Sequence, residues 1–178
     1  MKQKYSHKEY EPATMARALA KDQTASMKHC KEICKHIRGK TAIKAQKFLE
    51  RVIQMKEAVP FTIHNDSVGH KSGKIGSGRY PIKAAGVVLS ILKSAMKNAE
   101  AKGLDTDEAK IIHTNAHKAT SSMRYGRHRG RETKRTHIEI IIQSKPAENK
   151  TKKEKKLAEA KKEEPKSETK AEKKEEKK

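Results

Sequence analysis

Between residues 119 and 135 the chain carries Arg124, Arg127, Arg129, Arg131, Lys134 and Arg135 against a single acid, Glu132. Arginine outnumbers lysine there five to one. Its planar guanidinium binds phosphate through paired N–H donors and stacks on bases, whereas an ammonium acts as a point charge. Tyr125, inside the cluster, offers a ring for an unpaired base. His117 and Lys118 stand just before it. The chemistry this predicts is recognition of a nucleic-acid backbone. A charged loop facing only solvent is the alternative.

A second candidate runs from Val59 to Arg79. Gly69, Gly73, Gly76 and Gly78 allow close backbone approach, and His70, Lys71, Lys74 and Arg79 supply donors. The phosphate-loop pattern G-x-x-x-x-G-K-[ST] is not met. Lys74 follows Gly73, but neither the upstream glycine nor the Ser/Thr falls in place. The dinucleotide pattern fails on glycine spacing and lacks a preceding strand. Backbone contact with structured RNA is the functional reading of this segment, and a flexible surface loop the plain one.

Other reactive residues are less suggestive. His113 and His117 would share a strand face, without an evident third metal ligand. His64 and His70 lie near Asp66, a pairing able to do acid–base work, but no nucleophile or carboxylate pair accompanies them. Cys30 and Cys34 fall on one face of a predicted helix. A zinc site usually needs four close ligands, so the pair reads as two small core residues in a reducing compartment. Neither metal nor cofactor is expected.

Composition narrows the partner. The 178 residues carry a net charge of +21, with 33% hydrophobic and 3% aromatic content and no tryptophan. Such self-repulsion suits a polyanionic partner, because each neutralised phosphate releases counterions. No apolar run approaches the roughly 20 residues that span a bilayer, and residues 1–20 lack the apolar core of a signal peptide. No membrane association and a cytosolic location are therefore expected. Residues 144–178 hold fourteen lysines and nine glutamates, no arginine and one leucine, Leu157. That tail, expected to be disordered, accounts for +5 and leaves +16 on residues 1–143.

The elements that must position these residues are legible. Ser26 is a candidate N-cap for a first helix, in which Cys30, Ile33, Cys34 and Ile37 follow the i, i+3, i+4, i+7 pattern and Gly39 is the stop. A second helix covers about 41–56, with Ala42, Ala45, Leu49, Val52 and Ile53 on one stripe. A third covers about 82–102, between Pro81 and Gly103, with Ala85, Val88, Leu89, Leu92, Met96 and Ala99 inward. Residues 109–118 and 136–143 read as strands; in the second, Ile138, Ile140 and Ile142 share a face opposite Glu139 and Gln143. A third strand is placed around 13–24. The expected fold is α+β: three helices on a small antiparallel sheet, a protruding β-hairpin arm over 118–136, and the tail. If the arm extended its flanking strands it would reach roughly 25 Å. A helix-turn-helix DNA reader built from the first two helices is the rival reading. Against it, basic residues are spread over loops and arm.

The stretches Ala16-Arg17-Ala18, Ile37-Arg38-Gly39-Lys40, Val59-Pro60-Phe61, Gly78-Arg79-Tyr80-Pro81, Asn98 to Asp105 and Thr136 to Ile140 resemble, in consistent order, the universal large-subunit ribosomal protein family numbered twenty-two in bacteria and seventeen in eukaryotes. The likeness covers about residues 5–143. The Val-Pro-Phe lead-in and the insertion before Gly78 resemble its archaeal and eukaryotic branch, on the archaeal side. The resemblance implies a structural, non-catalytic constituent of the large subunit. Its partners would be ribosomal RNA, neighbouring ribosomal proteins and the nascent chain, with no homo-oligomer. It also implies a hairpin reaching the peptide exit tunnel, with Arg124, Arg127, Arg129 and Arg131 at its tip. One departure stands out: between Lys118 and His137 the chain is several residues shorter than is usual in the family and lacks a proline- and aromatic-bearing tip.

Overall fold

The computed structural model describes residues 5–73 and 75–144. Lys74 and, of the expected tail 144–178, residues 145–178 lie outside them, while Ser144 is buried in the body and donates its N–H to the Thr14 carbonyl at 3.0 Å. The chain begins with strand β1, Met15–Gln23, then helices α1, Met27–Ile37, and α2, Ala42–Ile53. A two-residue ladder follows, β2, Val59–Pro60, with β3, Gly78–Arg79. Helix α3, Ile82–Glu100, leads into β4, Lys110–Lys118. The short strands β5, Ser122–Met123, and β6, Glu132–Thr133, form the arm, and β7, Thr136–Gln143, closes the domain.

The main sheet is antiparallel in the order β1-β7-β4. On its inner face Ala16, Ala18 and Ala20 of β1 lie opposite Ile142, Ile140 and Ile138 of β7. Small residues on the edge strand leave room for α3, which packs on β1 and β7, while α1 covers β4 and α2 lies against α3. The three isoleucines are fully buried, with Ile33, Ile37, Leu49, Val88 and Leu92 around them. Burying each aliphatic side chain of this size contributes about 1.5–3 kcal/mol. The imperfect alternation of β4 has a cause. Ile111 pairs with Ile142 but His113 pairs with Ile141, so Ile112 is an extra residue. That bulge reverses the inside–outside order, and Thr114 and Ala116 then face inward.

Several expectations are adjusted. The inward stripe of α3 is Ala84, Ala85, Val88, Ile91, Leu92, Ala95 and Ala99, with Leu89 and Met96 only partly buried at its margin. The stripe is rotated because α3 touches sheet, α1 and α2 together. Phe48 joins the α2 stripe, stacked obliquely on His36 at 4.5 Å. Ser26 occupies the N-cap of α1 but its side chain makes no cap hydrogen bond. The outer sheet face is also covered: Glu139 is 2% exposed and Ile141 is buried. β7 is the central strand, and the segment before β1 folds over it. Tyr5 and Tyr10 flank the Arg17 guanidinium at 4.5 and 4.2 Å, and Lys102 donates to Tyr10 Oη and the Met15 carbonyl at 2.6 and 2.8 Å.

The junction between α1 and α2 is tied to the sheet. Gly39, at φ +79°, donates its N–H to the Ile111 carbonyl at 2.8 Å, and Ala42 donates to Ala109 at 2.8 Å. Only glycine adopts that backbone freely. Ile111 in turn donates to the Lys40 carbonyl at 2.9 Å. The helix pair is thus a docked layer of an α+β domain, its turn engaged by β4.

Candidate nucleic-acid interface

The arm is rooted in the two best-paired strands. β4 and β7 remain in register to Lys118 opposite Thr136, and Ala119 still donates to the Arg135 carbonyl at 3.1 Å. Beyond that point Ser122 pairs with Thr133 and Met123 with Glu132. Thr120 and Ser121 therefore face Lys134 alone, a second bulge at the base of the arm. Bulges increase local twist and bend a ribbon. The ladder resumes to the Arg124 N–H, which donates to the Arg131 carbonyl at 3.0 Å, and the tip turns through a short 3-10 segment, Gly126–His128. The arm is thus a hairpin whose ladder is interrupted by a bulge at its base, not an unbroken extension of β4 and β7.

Its side chains are presented to solvent. Arg124, Arg127, Arg129, Arg131 and Lys134 are exposed, Tyr125 is 93% exposed and Met123 stands beside it. Among the described residues the ion pairs within 4.0 Å are Arg51–Glu57, Lys93–Glu50 and two histidine contacts to Glu139, so no arm cation meets a carboxylate. An arginine cluster without internal partners is free to meet phosphates. Arg135 differs: it is half-buried and donates to the Asp22 carbonyl at 2.9 Å, fastening the arm's base to the end of β1. The Thr136 hydroxyl secures the same corner, donating to Ala25 at 2.9 Å.

The described residues of the glycine-rich segment form a loop closed at its neck. Val59 pairs with Arg79 and Pro60 with Gly78, and His70 bridges to Ser77. Gly78 is needed for proximity: a Cβ there would lie 3.2 Å from the Val59 carbonyl oxygen and 3.2 Å from Lys71 Cγ. His70, Lys71 and Arg79 are exposed. The Lys71 ammonium lies over Tyr80 at 5.5 Å and the Arg79 guanidinium over Phe61 at 5.9 Å, so each charged head is steadied on a ring while its residue stays exposed.

What holds this loop was not legible in the sequence. Glu32 of α1 is 1% exposed, and its carboxylate accepts the backbone N–H groups of Thr62, Ile63 and His64 at 3.2, 2.9 and 2.8 Å. Burial works to raise its pKa, but these N–H donors and the Thr62 hydroxyl outweigh it and hold the carboxyl below its usual value. Nothing local marks Glu32, which reads as one more polar residue on an amphipathic helix.

The histidines separate into different environments. His113 and His117 converge on Glu139, with Nε2 at 2.9 and 3.4 Å from the same carboxylate oxygen. The Ser6 backbone N–H donates to its other oxygen at 3.0 Å, and the Ser6 hydroxyl also bonds the carboxylate. These bonds outweigh burial and lower the Glu139 pKa. Ser6 Oγ lies 2.9 Å from His113 Nε2, the nitrogen already turned to Glu139. A serine–histidine–acid relay needs the two opposite ring nitrogens, so the cluster binds the N-terminal segment to the sheet and does not activate Ser6. Among the described residues no group of three or more His, Cys, Asp or Glu is arranged to hold a metal ion. Burial pushes the Cys30 thiol up to about 12 and Cys34 to about 11, and both are unpaired core residues.

A strongly basic α+β domain with exposed cations on an arm, a closed loop and its helices is the architecture of a basic nucleic-acid-binding domain. The profile of the family described as Ribosomal protein L22p/L17e matches residues 18–143. A protein named Large ribosomal subunit protein uL22 from Methanocella arvoryzae is 47% identical over 112 residues, 62% of this chain and 73% of that protein. Its namesake from Methanocaldococcus jannaschii is 42% identical over 139 residues, 74% of this chain and 89% of the relative. The Archaeoglobus fulgidus protein of that name is 40% identical over 146 residues, 78% and 94% respectively. The chain belongs to the L22p/L17e family of ribosomal proteins, in its archaeal branch.

Proposed function

We propose that this protein is a structural constituent of the large ribosomal subunit that binds ribosomal RNA, supports subunit assembly and contributes its arm to the wall of the nascent-peptide exit tunnel. The observation that carries the reading is the arm: exposed arginines with no carboxylate partner among the described residues, on a hairpin continuous with the central strand of the core. Such an arrangement has little to stabilise it alone and much to gain from phosphates on either side. Family membership and the names of the relatives support the same assignment.

In this reading the RNA-binding residues are His70, Lys71, Lys74, Arg79, His117, Lys118, Arg124, Tyr125, Arg127, Arg129, Arg131, Lys134 and Arg135. Arg135 and His117 have a second, internal role through Asp22 and Glu139. Residues 1–143 act as the RNA-binding body, and the Lys/Glu-rich residues 144–178 make looser electrostatic contacts. The protein works in the cytoplasm as one copy per particle, beside neighbouring ribosomal proteins and the nascent chain. It acts without catalysis, cofactor or membrane.

Sedimentation of the tagged full chain from lysate, before and after a high-salt wash, tests this. Co-migration with the large subunit that survives the wash is expected. Release near the top of the gradient, or loss on DNase treatment, would refute it and bring the helix-turn-helix alternative forward.

A further inference from the structure

Two adjoining hollows, about 320 and 500 Å³, lie beneath the base of the arm and share Ser26, Glu132 and Lys134. They form one groove. Its floor is the start of α1 and the start of α3, and its roof is the arm beside the Thr120–Ser121 bulge. Lys28 and Lys118 line one end, Lys83 and Arg124 the other, and Lys134 both. All five are exposed. The acid in the groove, Glu132, already accepts the Ser121 hydroxyl at 2.7 Å across the arm. Neither first turn carries an acidic residue, and the Ser26 side chain is not spent on a cap.

We propose that this groove binds a stretch of RNA sugar–phosphate backbone, and that Lys28 and Lys83, which sit on the body and not on the arm, are its body-side contacts. The proposal rests on the reading that the protein binds RNA and adds a site to it. Five cations on opposing walls, against a single acid that is already hydrogen-bonded, favour a linear polyanion. The position has a mechanical consequence. A phosphate held between Lys28 or Lys83 below and Lys134 above bridges the body to the arm at its bulge, where the main ladder has ended. The groove therefore sets the arm's angle when RNA is bound. His29, another lining residue, has its pKa lowered mainly by burial, with Arg79, Lys134 and His64 adding to the same direction.

The test is binding of the full chain to purified large-subunit ribosomal RNA across a salt series. Each lost phosphate contact removes about 0.9 from the slope of log K against log salt. Lys28→Gln/Lys83→Gln should lower the slope by about two, and Lys28→Arg/Lys83→Arg should restore it. Both side chains are exposed, so an unchanged circular dichroism spectrum is the folding control. A Gln double variant with the wild-type slope, beside an Arg127→Ala/Arg129→Ala variant with a reduced one, overturns the groove and leaves the RNA reading standing. Absence of salt-dependent binding by the wild-type chain overturns both. Carbodiimide coupling of Lys28 and Lys83 to a neighbouring protein's carboxylates in intact subunits would mean an acidic protein occupies the groove, and also overturns the proposal.

Discussion

Replacing Glu32 should uncouple the glycine-rich loop from the body. The carboxylate accepts three backbone N–H groups between 2.8 and 3.2 Å and the Thr62 hydroxyl at 3.3 Å. Hydrogen bonds to a charged group contribute about 1.5–3 kcal/mol each. Three would give an upper limit of about 5–9 kcal/mol, but Thr62 and Ile63 are exposed and their amides would partly rehydrate. A loss of about 3 kcal/mol for Glu32→Ala is therefore expected. For Glu32→Gln about 2 kcal/mol is expected, because one oxygen still accepts while the new NH2 opposes the Thr62 N–H. Urea unfolding of the full chain measures the loss, and hydrogen exchange at residues 62–64 locates it. The pH dependence is a second check. The folded pKa lies below the ordinary 4.5, so the contribution is complete above that value and is lost as pH falls through the folded pKa. Wild type and Glu32→Gln should differ by a constant amount between about pH 6 and 8, and the difference should start to shrink below about 4.5 and vanish as pH falls through the folded pKa. A loss under about 0.5 kcal/mol for both variants, or exchange at 62–64 that does not change, would refute the anchoring role.

Arg127→Ala/Arg129→Ala should weaken RNA binding and lower its salt slope by about two; an unaltered slope would mean those guanidinium groups face solvent in the complex. Glu139→Ala leaves His113, His117 and Ser6 without their shared acceptor and should cost about 3 kcal/mol, with proteolysis appearing near Tyr5 to Tyr10. The Glu139 pKa is also lowered, so in the wild type the protection should persist above 4.5 and fade as pH drops through the folded value; equal protease resistance in variant and wild type would count against it. With thiols raised to about 12 and about 11, Cys30 and Cys34 should react with a disulfide reagent only after denaturation, and rapid native labelling at neutral pH would contradict the burial described.

Family likeness and local pattern carried the reading far. The 3.6-residue stripes of α1 and α2, the period-2 run Ile138, Ile140, Ile142, and Pro81 and Gly103 around α3 depend on neighbours a few positions apart. So does the arginine-rich composition of 119–135. Where a pattern was blurred, the structure supplied the reason. β4 alternates imperfectly because Ile112 is an inserted bulge residue, and the α3 stripe is turned because three elements press on it.

The amino-acid sequence by itself determined the elements, the placement of charge and the partner class, because propensity, amphipathic period and net charge are local or summed properties. Tertiary structure alone decided the rest. Glu32 meets residues 62–64 only because the chain returns past α1, and Glu139 is buried only because β7 is central and the segment before β1 covers its outer face. Likewise Lys28 and Lys83 line adjoining hollows only because long-range packing brings the starts of α1 and α3 beneath the arm. Each depends on long-range packing, which brings together residues whose separation along the chain carries no signal of their contact.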